Sequence, residues 1–285
     1  MPNTRANKLL GYPPDARLLI LNADDFGMYA AINDAVLVAL TEGVVSSTTL
    51  MLPCPAAAPA MEVLKQRPEI DFGVHLTVIR DLPAYRYGPL APAASVPSLV
   101  DAAGHFLTTD DRAQFLAQAR LADLELEFRA QIDTVFAAGL APTHLDWHCL
   151  HNGGRAGIFD LTLALAAEYG LAVRVAGAPH AATLQRQGLP TNDYDLLDSF
   201  RIATAGKAAR YAHLLRKLPP GLSEWAVHPG RATVAAQALD DGWPVRQADC
   251  DFFVSADARA LIRQEGIILL SYRPIQEVWK VKRDA

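Results

Sequence analysis

Short apolar runs alternate with helically spaced apolar positions along most of the chain. Leu18-Leu19-Ile20-Leu21 is a run of the kind a buried strand shows, and it predicts a first strand over 17–21. Over 30–42 the apolar residues Ile32, Ala35, Val36 and Leu40 step by three and four, and Gly43 follows as a stop, so a helix is predicted. The β-branched stretch 44–52, closed by Pro53, predicts a second strand. A helix over 56–66 and a third strand over 70–77 follow. Asp110 or Asp111 can cap one long helix to about residue 138, because Ala117, Leu121, Leu124, Phe128, Ile132 and Val135 keep one face apolar. Strands are predicted at 143–147, 171–176, 223–227 and 267–272, with helices at 158–169, 205–218 and 256–264, the last behind Ser255 as cap. Residues 177–200 read as irregular and 231–254 as mixed.

Strand and helix in alternation predict an α/β fold with a mainly parallel sheet, closed into a barrel or open and doubly wound. Nothing repeats and no low-complexity linker divides the chain, so residues 17–285 are expected to form one domain behind a loose lead-in, 1–16. Residues 78–108 break the alternation. Prolines stand at 83, 89, 92 and 97 with Gly88 and Gly104 between them. A loop this long inside a compact domain is usually functional or disordered. It follows a candidate site strand, so it is expected to cover substrate; a plain surface insertion is the alternative.

Composition narrows the partners. The 285 residues are 51% hydrophobic and carry a net charge of −5 without a basic block. That argues against nucleic acid or an anionic membrane and leaves a neutral substrate such as a sugar open. Three cysteines without a C-x-x-C pair argue against a disulfide framework and for a reducing compartment. No run approaches the roughly 20 apolar residues of a membrane span, and a cytoplasmic protein is expected. Leu and Ala surfaces make a homodimer a reasonable expectation.

The candidate chemistry lies where the strands should end. Asp24 and Asp25 follow the first strand, His75 ends the third, His144-Leu145-Asp146-Trp147-His148 ends the fourth, and His228 ends the sixth. In β/α barrels reactive side chains gather at that end. Two histidines and a carboxylate leave coordination positions open, as a catalytic metal site requires, and a second carboxylate can take a proton from water. Adjacent aspartates at a strand end diverge, so one can ligate while the other faces the water. Each residue also has a plainer reading. His75 could be a hydrogen-bonded core histidine and His228 a turn histidine. His144 lies deeper and suits a supporting role at least as well, Asp146 could orient a histidine, and His151 rivals His148 as ligand. Cys149 reads as a packing residue. Arg174 needs a carboxylate partner in the barrel mouth unless it snorkels to the surface.

The motifs Asn22-Ala-Asp-Asp-Phe-Gly27, Ser46-Ser-Thr-Thr-Leu-Met51, Gly73-Val-His-Leu-Thr77, Pro142-Thr-His-Leu-Asp-Trp-His148, Val227-His-Pro-Gly230 and Leu270-Ser-Tyr-Arg273 resemble, in order, those of the YdjC-type carbohydrate deacetylases. The resemblance spans about 17–273. It implies a distorted (β/α) barrel, one divalent metal ion held by Asp25, His75 and His148, Asp24 as general base, and His228 as acid or transition-state contact. The substrate it implies is an N-acetylated sugar or oligosaccharide. Two histidines and an aspartate suit zinc, while the family is often described with magnesium. Where the family often continues with further histidines, this chain has Cys149-Leu150-His151-Asn152. A metal-dependent isomerase, a phosphoester hydrolase and a non-catalytic sugar-binding protein are the alternatives.

Overall fold

Eight strands form the frame of the computed structural model, which describes residues 5–283. They are β1 (Arg17–Phe26), β2 (Ser47–Leu50), β3 (Phe72–Leu76), β4 (His144–Trp147), β5 (Ala172–Val173), β6 (Leu197–Asp198), β7 (Gly221–Val227) and β8 (Ile267–Leu269). All pairings are parallel, in the order β5-β4-β3-β2-β1-β7-β6. β7 runs along one edge of β1 over Arg17–Ala23; β8 and then β2 share the other edge. The end strands β5 and β6 are not paired with each other. The result is a curled parallel sheet wrapped by helices: a half-open, distorted β/α barrel. β1 is buried at every position from Leu18 to Phe26, as a central strand covered on both faces must be.

The first strand runs five residues past the end of its apolar run. Asp24 and Asp25 belong to its last turn of pairing with β2, where Ala23 faces Thr48 but Phe26 faces Leu50. β1 thus carries one extra residue, and Asp25 takes φ 69° there. A bulge of this kind re-aims a side chain at a barrel rim.

The single helix expected from 110 to 138 is instead Arg112–Gln118 and Leu121–Ala137, behind a short 3₁₀ turn. The physical cause is tertiary. Ser98, from the 78–108 loop, accepts the Arg120 N–H on its hydroxyl (2.9 Å) and donates from its own N–H and hydroxyl to Asp123 (3.0 and 2.8 Å). These bonds replace helix bonds at the break. The loop itself is packed. Arg80 donates to the carbonyls of Phe106 (2.7 Å), Pro83 and Tyr85 (3.1 Å each), and Glu127 accepts the N–H groups of Leu90 and Ala91.

Other differences have local causes. The lead-in holds a helix, Arg5–Leu10, docked by Asn7, whose amide donates to the carbonyls of Pro13 and Ala16. The irregular 177–200 contains the helix Ala178–Arg186 as well as β6, and 231–254 contains helices Val234–Leu239 and Trp243–Phe253. Pro179 and Pro244 stand in the first turns of two of these, where proline leaves no helix bond unmade. A last helix, Arg273–Arg283, follows β8. Residues 1–4 and 284–285, parts of the expected lead-in and domain end, lie outside the described residues. No described helix is long and apolar enough to cross a membrane.

Candidate active site

A cavity of about 730 Å³ opens at the carboxyl ends of the strands. Asp24, Asp25, His75, His148, Arg174 and His228 all line it, with Asp81–Ala84 of the long loop on the rim.

At its floor Asp25 meets two histidines. Asp25 Oδ1 lies 3.4 Å from His75 Nε2 and 3.1 Å from His148 Nδ1, and the three donor atoms all lie within 4.8 Å of one another. The bulge at Asp25 and the strand register produce this. His75 on β3 is the pairing neighbour of Asp146 on β4, and His148 follows β4 by one residue. Asp146 Oδ1 sits 2.7 Å from His75 Nδ1. An ionised carboxylate only accepts, so Nδ1 carries a proton, and Nε2 is the nitrogen turned toward Asp25, available to a cation once its own proton is lost. In the metal-free chain burial alone would lower the His75 pKa, but the Asp146 charge and hydrogen bond outweigh it and raise it to about 9.

The electrostatics of this floor suit a cation. Five buried carboxylates (Asp24, Asp25, Asp146, Glu224 and Asp240) share two buried guanidiniums, Arg174 and Arg246. In the metal-free chain protons on His75 and His148, both raised against burial by the acidic groups around them, supply further positive charge, which a cation could replace. The donor set of one carboxylate and two imidazoles fits a divalent metal with open positions.

The two aspartates are held differently. Arg174 grips Asp24 with both Nη atoms, 2.8 Å to each oxygen, and Asn22 donates to Oδ1 (2.7 Å). Burial raises the proton affinity of Asp24, but Arg174 beside it prevails and holds the carboxyl well below the usual range. Asp25 gives only Oδ2 to Arg246 (2.8 Å), which in turn holds Asp240 (2.6 Å). Against burial, Arg246 and the two histidines likewise keep Asp25 ionised.

His228 approaches from β7. Its Nδ1 is 2.8 Å from Ser199 Oγ, which leaves Nε2 facing the cavity, 3.9 Å from Asp24 Oδ2. Asp249 accepts the His228 N–H (2.8 Å) and fixes the turn. Gly230 closes that turn because any Cβ there would press to 3.0 Å on the Arg246 side chain.

Other sequence candidates fall elsewhere. His144 is fully buried, stacked on Tyr272 with ring centroids 3.6 Å apart, its Nδ1 3.0 Å from Thr143 Oγ1; it is not in the Asp25 cluster. Gly73 makes room for that ring, since a Cβ would lie 2.6 Å from it. His151 lines the cavity but belongs to no metal-type donor group among the described residues. Arg174 is buried and paired with Asp24, Asp146 (2.6 Å) and Glu224 (2.7 Å), so the snorkelling alternative fails. Cys149 lines the cavity, with Sγ 3.3 Å from His148 Nε2.

The sequence reading missed Arg246, Asp240, Asp81 and Glu224. Glu224 had a signal, a lone carboxylate inside an otherwise buried strand. Arg246 had a weaker one, sharing the buried helix side of Asp249, Cys250 and Phe253. Nothing local marks Asp81.

Comparison with known proteins agrees with this architecture. A carbohydrate deacetylase of Geobacillus stearothermophilus is 31% identical over 258 residues, covering 90% of this chain and 97% of that protein. One of Thermoanaerobacter pseudethanolicus is 27% identical, covering 90% and 98%. A crystal structure from Enterococcus faecalis V583, provisionally described as a cellobiose-phosphate cleavage protein, superposes with a TM-score of 0.76 at 29% identity, covering 90% of this chain and 98% of that one. Residues 18–264 match the sequence profile of the YdjC-like proteins, and the chain belongs to that family.

Proposed function

We propose that this protein is a metal-dependent carbohydrate deacetylase that hydrolyses the N-acetyl group of an amino sugar or a short oligosaccharide. The observation that carries the reading is the pairing of an Asp25–His75–His148 donor set with a separately held, ionised Asp24 in one cavity. Relatives named carbohydrate deacetylases support the substrate class.

Asp25, His75 and His148 would hold the divalent ion, zinc or magnesium. When bound, such an ion acidifies water and polarises a carbonyl. The chain's own groups do the rest. Asp24, kept ionised and immobile by Arg174, accepts a proton on Oδ2, the oxygen nearest His228. His228, with Nδ1 engaged by Ser199, offers Nε2 to protonate the departing amine. Arg174 and Arg246 fix the two carboxylates, so little reorganisation is needed during reaction. The cavity volume suits a ligand of one or a few sugar rings.

The carboxylates nearest the metal-type donor set favour this chemistry over cleavage of a glycosidic bond. A glycosidase needs a carboxylic acid kept protonated. Here Asp24, Asp25 and Asp81 are all shifted toward the ionised form by the charges around them, against burial. The free cysteines, Cys54, Cys149 and Cys250, support a reducing, cytoplasmic setting.

The test is acetate release from a panel of N-acetylated amino sugars and chito-oligosaccharides, with and without chelator. Acetate from at least one of them, lost on chelation and restored by zinc or magnesium, is expected. Release that survives complete metal removal would sink the metal-dependent reading.

A further inference from the structure

The side of His148 turned away from Asp25 carries a second set of donors. Asp81 Oδ1 lies 3.1 Å from His148 Nε2, and Cys149 Sγ lies 3.3 Å from the same nitrogen. The three atoms are within 4.8 Å of one another, and all three residues line the cavity. Ligands about 2.0–2.3 Å from one tetrahedral ion sit roughly 3–4 Å apart, so both distances to His148 already match. Cys149 reaches this position with φ 57°, a left-handed backbone that a non-glycine residue keeps only where its surroundings demand it. Asp81 is fixed as well, since its neighbour Arg80 is bonded to the carbonyls of Phe106, Pro83 and Tyr85.

We propose that Asp81, His148 and Cys149 form a second cation site, selective for thiophilic divalent ions such as zinc, cobalt or cadmium, which competes with the Asp25 site for His148. The selectivity follows from the thiolate, which favours zinc-like ions and gives magnesium nothing. The competition follows from the imidazole, which when neutral has one lone pair. With a cation at the Asp25 site, Nδ1 supplies that lone pair and Nε2–H donates to Asp81. With a cation at the second site, Nε2 ligates and Nδ1–H donates to Asp25 Oδ1. The ring proton changes nitrogen by exchange with solvent, the Cys149 thiol proton is released to solvent, and no redox change occurs. With magnesium at the first site, added zinc therefore draws His148 to the second, and added magnesium does not. The inference rests on the donor geometry and not on the substrate.

Cobalt titration of the metal-free full chain, read by absorption, tests it. Wild type should develop a thiolate-to-cobalt charge-transfer band. Cys149→Ser should lose the band, Asp81→Asn should weaken cobalt affinity for it by about tenfold or more, and Asp25→Asn should keep it. No band at any cobalt level, with Cys149 shown reduced by thiol titration, overturns the site. So does a band of full strength in Cys149→Ser, which would come from Cys54 or Cys250. Should that variant not fold, alkylation of Cys149 in the wild type decides: protection by zinc but not by magnesium supports the site, and equal labelling with and without zinc refutes it.

Discussion

Asp24 and Asp25 are neighbours in sequence and sit in the same cavity, yet their surroundings differ. Around Asp24 the Arg174 fork takes both oxygens, and Arg174 itself is fastened to Asp146 and Glu224. Glu224 is held in turn by Tyr272 (2.6 Å) and Asn192 (2.8 Å). Asp25 meets its arginine through one oxygen only, and the other oxygen faces two imidazole nitrogens. A bidentate guanidinium fixes a carboxylate in plane and occupies both ligating atoms; a one-point contact leaves one of them free. The division of labour proposed for these two identical residues would then follow from how many oxygens an arginine claims, with the bulge turning them apart.

The sharpest way to break the comparison is to neutralise each aspartate in turn. Asp24→Asn should keep one bound metal ion per chain and lower kcat by about 10²–10⁴-fold, the usual worth of a positioned proton acceptor. Asp25→Asn should lose the metal as well as the turnover. Elemental analysis beside acetate release reads both. Near-full turnover in Asp24→Asn would return the base role to another group, and metal retained at wild-type affinity in Asp25→Asn would undo the ligand assignment.

Removing the arginine probes the same difference through stability. Arg174→Met leaves Asp24, Asp146 and Glu224 buried without their shared cation, and unfolding should become easier by about 3–5 kcal/mol. Arg174→Lys keeps the charge but not the fork, so it should lose less stability while still lowering kcat. Denaturant unfolding checks the first and steady-state kinetics the second. A Met variant within 1 kcal/mol of wild type would show that the three carboxylates are neutralised by something other than Arg174.

Half of this contrast can be read along the chain. The aspartate pair after an apolar run, and histidines at the ends of later strands, place the chemistry at one rim because parallel strands share a direction. The arginines cannot be assigned that way. Arg174 stands 150 residues from Asp24, and Arg246 stands 221 from Asp25. Only the closed fold decides which guanidinium meets which oxygen. The bulge is hidden for a related reason: β1 looks finished at Leu21, where its apolar letters end, although its polar tail stays paired to Phe26. The helix break at Ala119 depends on Ser98, a loop residue whose own neighbourhood gives no hint of it.

The gentlest test is pH, because the two carboxylates sit in surroundings that respond to it differently. Asp24 is held well below the usual carboxylate range by Arg174, so its own carboxyl keeps its charge near neutrality. On the Asp25 side, His75 in the metal-free chain holds a proton up to about 9, since Asp146 outweighs the effect of burial. A cation must displace that proton to use Nε2. The sign follows: affinity for zinc should rise as pH rises toward about 9, by up to about tenfold per unit for the His75 proton, and more steeply where His148, also raised, gives up a proton as well. Calorimetric titration in buffers of different ionisation heat measures the proton count directly. The slope should persist in Asp24→Asn, which leaves His75 and Asp146 in place. In Asp146→Asn the charge that raises the His75 pKa is gone, so the slope should move to lower pH. An unchanged slope in Asp146→Asn would mean that the displaced proton belongs to another group, and that His75 does not meet the cation in competition with it.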